Sequence, residues 1–163
     1  MNLVSKPALA TWILGGVAFD QITKAIARAV LVEGEPHDFL GGVLHIRLVE
    51  NHGAFLSLGS NLPEPLRNAI FLVGASLMVA GLVAWIFLSK TADAPTRLVM
   101  SWIAAGGIGN IIDRAIFDGG VTDFLNLGLG SLRTGIFNVA DMYITFAFVF
   151  MVWQTFRKPK PAP

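Results

Sequence analysis

Seven polar side chains interrupt stretches that are otherwise apolar: Asp20, Lys24, Asn110, Asp113, Arg114, Asn138 and Asp141. An eighth, Asp123, sits in the short segment "DGGVTDFLNL" between Val121 and Phe124. Two carboxylates brought together away from bulk water cannot both ionise easily, so they share a proton and one apparent pKa rises. Such a pair can take a proton from a water with one member and give a proton to a carbonyl oxygen or a leaving amine with the other. Asp113, Asp123 and Asp141 are the candidates, and spacing alone does not select two of the three. Asp113 has a competing role, because adjacent Arg114 and the Asp20–Lys24 pair can join it in a structural ion network. Residues three or four apart share a helix face, which groups Asp20 with Lys24, Asn110 with Asp113 and Arg114, and Asn138 with Asp141.

Other site chemistries fit poorly. Cysteine is absent, which removes thiolate metal sites and a thiol nucleophile. His37, His45 and His52 lack close metal-ligand spacing, so no metal is expected. Ser57, Ser60, Ser76, Ser101 and Ser131 fall in no pattern with a histidine or lysine base. Gly106-Gly107-x-Gly109 lies inside an apolar run and not in a phosphate-binding loop. A net charge of +1 without a basic face argues against nucleic acid.

The elements that must hold these groups are membrane helices. The chain is 54% hydrophobic and 14% charged, against about a quarter charged in an average soluble domain. Four runs, at about 8–30, 67–88, 97–117 and 136–156, reach the ~20 residues needed to cross a bilayer. They predict a single membrane domain. The apolar run after Lys6-Pro7 resembles a signal peptide, but Asp20 and Lys24 extend its helical pattern, so a retained first span is expected. Lys6, Lys90, Arg97, Arg157, Lys158 and Lys160 fall on one side, and Glu33, Glu35, Asp38, Glu50 and Glu64 on the other. By the positive-inside rule both termini and the tail 157–163 are cytoplasmic, and segments 31–66 and 118–135 are outside. Every intramembrane polar group then lies in the outer half of its helix. Buried ionisable groups cost at least ~2.5–3.5 kcal/mol each on insertion scales, so one such layer is a functional candidate.

Within the first outer segment, the alternation of Leu44, Ile46 and Leu48 with His45 and Arg47 predicts a half-buried strand. Ala104, Ala105, Gly106, Gly107 and Gly109 remove bulk from the third span and predict close helix packing. The expected class is therefore an all-α membrane protein of four helices, with a small β-containing segment between spans one and two.

In their order and spacing, "GGIGNIIDR", "GGVTDF" and "FNVAD" resemble the motifs of the lipoprotein signal peptidases, the bacterial signal peptidase II family. "DQITK" and "ENHGAF" are similar to two further family motifs, so the resemblance covers nearly the whole chain. It implies an inner-membrane aspartyl endopeptidase that removes signal peptides from prolipoproteins by cutting before a diacylglyceryl-modified cysteine. Its surroundings would be membrane lipids, its only auxiliary a catalytic water, and its state monomeric. The resemblance makes Asp123 and Asp141 the catalytic pair, with Asn51, Gly53, Asn110, Asp113, Arg114, Asn138 and Ala140 lining or supporting the site. Asp20 and Lys24 match the motif of the first span. The chain departs from the family in reading Asn51-His52-Gly53-Ala54-Phe55-Leu56, where phenylalanine comes one position early, and in a 113–123 loop one residue longer than usual. A small transporter subunit and a silent membrane scaffold are the competing classes.

Overall fold

The computed structural model describes residues 4–52 and 63–157. Four long helices, α1 (Lys6–Val30), α2 (Glu64–Leu88), α3 (Ala94–Ile116) and α4 (Val139–Phe156), carry one small sheet. They begin or end within about one turn of the sequence expectation. Ser5 caps α1 through a bond from the Ala8 N–H, and Asp93 caps α3 through the Thr96 N–H. Pro7 and Pro95 occupy first-turn positions where no intrahelical N–H is lost.

α3 is the central helix, in contact with α1, α2 and α4. Small residues make this possible. A methyl group on Gly106 would collide with the Ala140 carbonyl oxygen, and one on Gly109 with the Asp20 carboxylate. The buried side of α1 changes character along its length, from Leu9 and Ile13 to Asp20 and Lys24. α2 buries only Ile86 and turns Ile70, Val73, Leu77 and Met78 outward. α2 and α4 are each long and apolar enough to cross a membrane, with mean hydropathy 2.4 and 1.4 over their most apolar windows. Only 6% and 17% of those windows are buried, which distinguishes them from the core helices of a soluble protein.

The β content differs from expectation. The sheet has four antiparallel strands in the order β1 (His37–Phe39), β2 (Leu44–Asn51), β3 (Val121–Leu129) and β4 (Leu132–Arg133). Half of it therefore comes from the segment between α3 and α4, which corrects both the all-α description and the placement of β structure between the first two helices alone. Val121, Asp123, Leu125, Leu127 and Leu129 do alternate with Thr122, Phe124, Asn126 and Gly128, but Asp123 on the apolar side, Phe124 on the polar side and a glycine blur the pattern. The strand forms because β2 offers it a paired edge. α4 also starts later than the expected position 136. Asn138 is extended, at φ −128° and ψ −175°, and acts as the helix cap.

Candidate active site

Lys24, wholly buried, is the hub of an ion network. Its Nζ lies 2.9 Å from Asp20 Oδ2 and 3.3 Å from Asp113 Oδ2, and it donates to Asn110 Oδ1 at 2.9 Å. Asp113 also accepts from Gln21 Nε2 at 3.1 Å and from the Thr122 backbone N–H at 2.9 Å. Asp20 Oδ1 accepts the Ala140 N–H at 2.9 Å and so satisfies one of the free donors that open α4. Burying two carboxylates and one ammonium is tolerable only because nearly every oxygen lone pair has a donor. Asp113 thus sits in the ion network that competes with a reactive role for it, and neither it nor Asp20 lines the cleft described below.

Two amides link this network to a second pair of acids. Asn110 Oδ1 accepts from both Lys24 and Asn138, which turns its NH₂ group toward Asp141 Oδ1 at 2.9 Å. Asn138 Nδ2 also donates to Asp123 Oδ1 at 2.7 Å, and Asn51 Nδ2 donates to Asp123 Oδ2 at 2.9 Å. Asn138 and Asp141 form a capping box. The Asp141 N–H donates to Asn138 Oδ1, and the Asn138 N–H donates to Asp141 Oδ2. Asp141 is therefore at the third position of its helix, closer to the mouth of the membrane helix than its sequence context suggests.

Asp123 is 2% exposed, between Val121 and Phe124 on β3. Burial pushes its carboxyl up to about 6, with the nearby Asp141 charge adding to the rise while the Asn51 and Asn138 hydrogen bonds and Lys24 oppose it. Asp123 and Asp141 both line a cleft of about 770 Å³, together with Asn51 and Arg114 at its polar end. Leu127, Ile136, Phe137, Met142 and Phe146 make the remainder apolar. Arg114 reaches back to the Asn110 carbonyl at 3.4 Å and faces the cleft.

The signal peptidase (SPase) II family matches residues 12–157 of this sequence. The chain belongs to the signal peptidase II family. Members of this family are aspartic peptidases, and the transporter-subunit and scaffold alternatives fall away. Among its relatives, the lipoprotein signal peptidase of Borrelia duttonii is 34% identical over 150 residues, covering 88% of this chain and 87% of the relative. That of Desulforapulum autotrophicum is 35% identical over 149 residues, covering 89% of each. Two solved structures described as a bacterial membrane enzyme share the fold, with TM-scores of 0.78 and 0.79 at 22% and 21% identity. They cover 97% and 94% of this chain, and each is itself covered to 96%.

Of the residues expected at this signal peptidase II site, Asp20, Lys24, Asn110, Asp113, Asn138, Ala140, Asp141, Asp123 and Asn51 come together in one connected network. Arg114 lies beside it, and Gly53 is outside the described residues. Three further participants were not singled out in the sequence. Gln21 donates to Asp20, Asp113 and the Gly109 carbonyl. Thr122 gives its N–H to Asp113 and accepts from Arg28 at 2.6 Å. Arg28 in turn lies 4.6 Å above the Phe117 ring. Gln21 neighbours Asp20 and was the one with a sequence signal, whereas Thr122 reaches Asp113 through its backbone N–H, which residue type does not reveal.

Proposed function

We propose that this chain removes signal peptides from prolipoproteins by cutting before a diacylglyceryl-modified cysteine, with Asp123 and Asp141 as the catalytic pair. The observation that carries the assignment is that these two acids alone share the cleft, while Asp113 is occupied by Lys24, Gln21 and Thr122. No cofactor takes part; the nucleophile is a water held between the two carboxylates.

The pair shares one proton. Burial favours the protonated form of Asp123, and Asp141, held by the Asn138 backbone N–H and the Asn110 side-chain amide, acts as the base. Asp141 takes a proton from the water as its oxygen attacks the scissile carbonyl carbon, and Asp123 gives its proton to the carbonyl oxygen. Collapse of the tetrahedral intermediate breaks the C–N bond. The amine leaves with the proton from Asp141, the carboxylic acid forms as Asp123 regains its own, and the pair returns to its starting state. Asn110 and Asn138 fix both carboxylates in register, and Arg114 is placed to bind a substrate carbonyl oxygen.

The molecule acts as a monomer with all four helices across the bacterial inner membrane. Both termini are cytoplasmic and the site faces the outer leaflet. The outward apolar faces of α2 and α4 and the clustering of polar groups at one end of the bundle support this reading. The test is incubation of the purified enzyme with a diacylglyceryl-modified prolipoprotein. Release of the signal peptide by the native chain, and none by Asp123→Asn, is expected. A chain that leaves the lipidated substrate intact is not this peptidase, and a cytoplasmic reporter signal from residues 31–52 overturns the orientation.

A further inference from the structure

The strand register sorts the outer sheet into two chemically different faces. Cross-strand partners share a face, and the pairs are Phe39 with Leu44, Leu44 with Leu127, and Leu129 with Leu132. Leu125 and Asp123 lie on the same face of β3, since alternate residues of a strand point the same way. The neighbouring rows are Asp38 with His45, His45 with Asn126, and Gly128 with Arg133. Toward the free end of the sheet one face is thus Phe39, Leu44, Leu127, Leu129 and Leu132, followed toward Asp123 by His37, Ile46 and Leu125, and the other is Asp38, His45, Asn126 and Arg133, with Phe124 nearer the helices. The polar face is internally bonded: His45 Nε2 lies 3.0 Å from Asp38, and Arg133 donates to the Asn126 carbonyl and, at 2.8 Å, to the Gly42 carbonyl.

The apolar face is open at its far end. Leu129 is 72% exposed and Leu132 82%, while Leu40, in the turn after β1 that Arg133 ties to the hairpin, is 77% exposed. Leu127 is the last residue of this face to line the cleft. Leu129 stands six residues beyond Asp123, or ~20 Å along the strand. Among the described residues the hollow at Leu127, Leu129 and Leu132 is shallow and open, a shape that fits a flat apolar surface and not a single threaded chain. The same face runs through the cleft to Phe146 on the outward side of α4, and whatever solvates α4 is continuous with the sheet.

We propose that the β3–β4 hairpin, with Leu129 and Leu132 at its tip and Leu40 beside it, is immersed in the outer leaflet of the bilayer, holding the sheet apolar face down on lipid. The proposal rests on the membrane reading above. It gives the sheet a second task besides presenting Asn51 and Asp123: a floor along which a lipid-modified substrate reaches the aspartates without leaving the leaflet.

The chain contains no cysteine, so single-cysteine variants label uniquely. Leu132→Cys, Leu129→Cys, Asp38→Cys and, as a helix control, Leu77→Cys would each carry an environment-sensitive fluorophore in phosphatidylglycerol–phosphatidylethanolamine vesicles. Nitroxide lipids of shallow and deep placement would serve as membrane quenchers, and iodide as the aqueous one. We expect the Leu132 and Leu129 labels to be quenched by the shallow nitroxide and at least about fivefold less by iodide than the Asp38 label. Iodide quenching at Leu132 and Leu129 equal to that at Asp38, with the Leu77 label still quenched by the deep nitroxide, overturns the immersed hairpin while leaving the membrane reading intact. Labels shielded from both quenchers mean that a second copy or another protein covers the tip, which also overturns it. Loss of deep quenching at Leu77 fails the membrane reading itself.

Discussion

The side-chain amide of Asn138 donates to Asp123 at 2.7 Å from the position that caps the helix carrying Asp141. One residue therefore ends the β4–α4 connection, starts α4 and sets the separation of the two acids. Asn138→Ser retains a good helix cap but is too short to reach Asp123. It is expected to unfold within about 1 kcal/mol of the native protein while kcat falls at least about tenfold. Asn138→Ala is expected to lose both. Thermal unfolding in detergent and cleavage kinetics on the same samples separate the two roles.

The division of labour among the three candidate aspartates gives the sharpest test of the site. Asp123→Asn and Asp141→Asn each leave size and most hydrogen bonds in place but remove a proton carrier, so cleavage should fall by ~10³-fold or more with the fold retained. Asp113→Asn should keep measurable cleavage and lose stability. Full activity in Asp123→Asn together with a dead Asp113→Asn would show that the partner of Asp141 had been misassigned.

Lys24 neutralises two wholly buried carboxylates. Its replacement by methionine leaves them uncompensated, at ~3–5 kcal/mol. Lys24→Met combined with Asp113→Asn removes one of the stranded charges and should recover part of that loss. Additive destabilisation in the double variant would mean that the ammonium and Asp113 do not interact as the 3.3 Å contact implies.

The acid of β3 sets a pH limit. The folded carboxyl of Asp123, at about 6 against an ordinary 3.8, keeps its proton where the unfolded chain has lost it. Its contribution to stability is therefore largest below the ordinary value and declines as pH rises through that window. With Asp123 as proton donor, kcat/KM of the free enzyme falls on the alkaline side from about pH 6. Asn51→Ala removes a donor that favours the ionised form, so the alkaline limb should move up by about one pH unit. A downward shift in the pH profile of that variant would contradict the role given to Asn51.

Close approach of α3 to its neighbours is a steric requirement. Gly109→Ala places a methyl group against the Asp20 carboxylate and should destabilise by ~1–3 kcal/mol. Gly15→Ala, where an added methyl group meets nothing within 4 Å, is the matched control and should be neutral or slightly stabilising. Unfolding midpoints of the two variants in one detergent decide the comparison.

Much of this protein was legible before any coordinates. Apolar run lengths gave four helices, and the motifs around Asp113, Asp123 and Asp141 gave the family and a list of polar residues that proved to be neighbours. Those features depend on residue type and local period, which sequence records directly. Two things did not follow from it. The pairing of β3 with β2 was hidden because a strand's stability comes from its partner across 70 residues of chain, as between Asn51 and Val121. The role of Asp113 was open because an acid is structural or reactive according to which donors surround it, and here Lys24, Gln21 and a backbone N–H from Thr122 arrive from two other elements. The sequence by itself determined which groups the site contains and that they interrupt apolar helices. Only the tertiary structure decided which two acids meet at the cleft, because hydrogen-bond partners and burial are properties of positions in space.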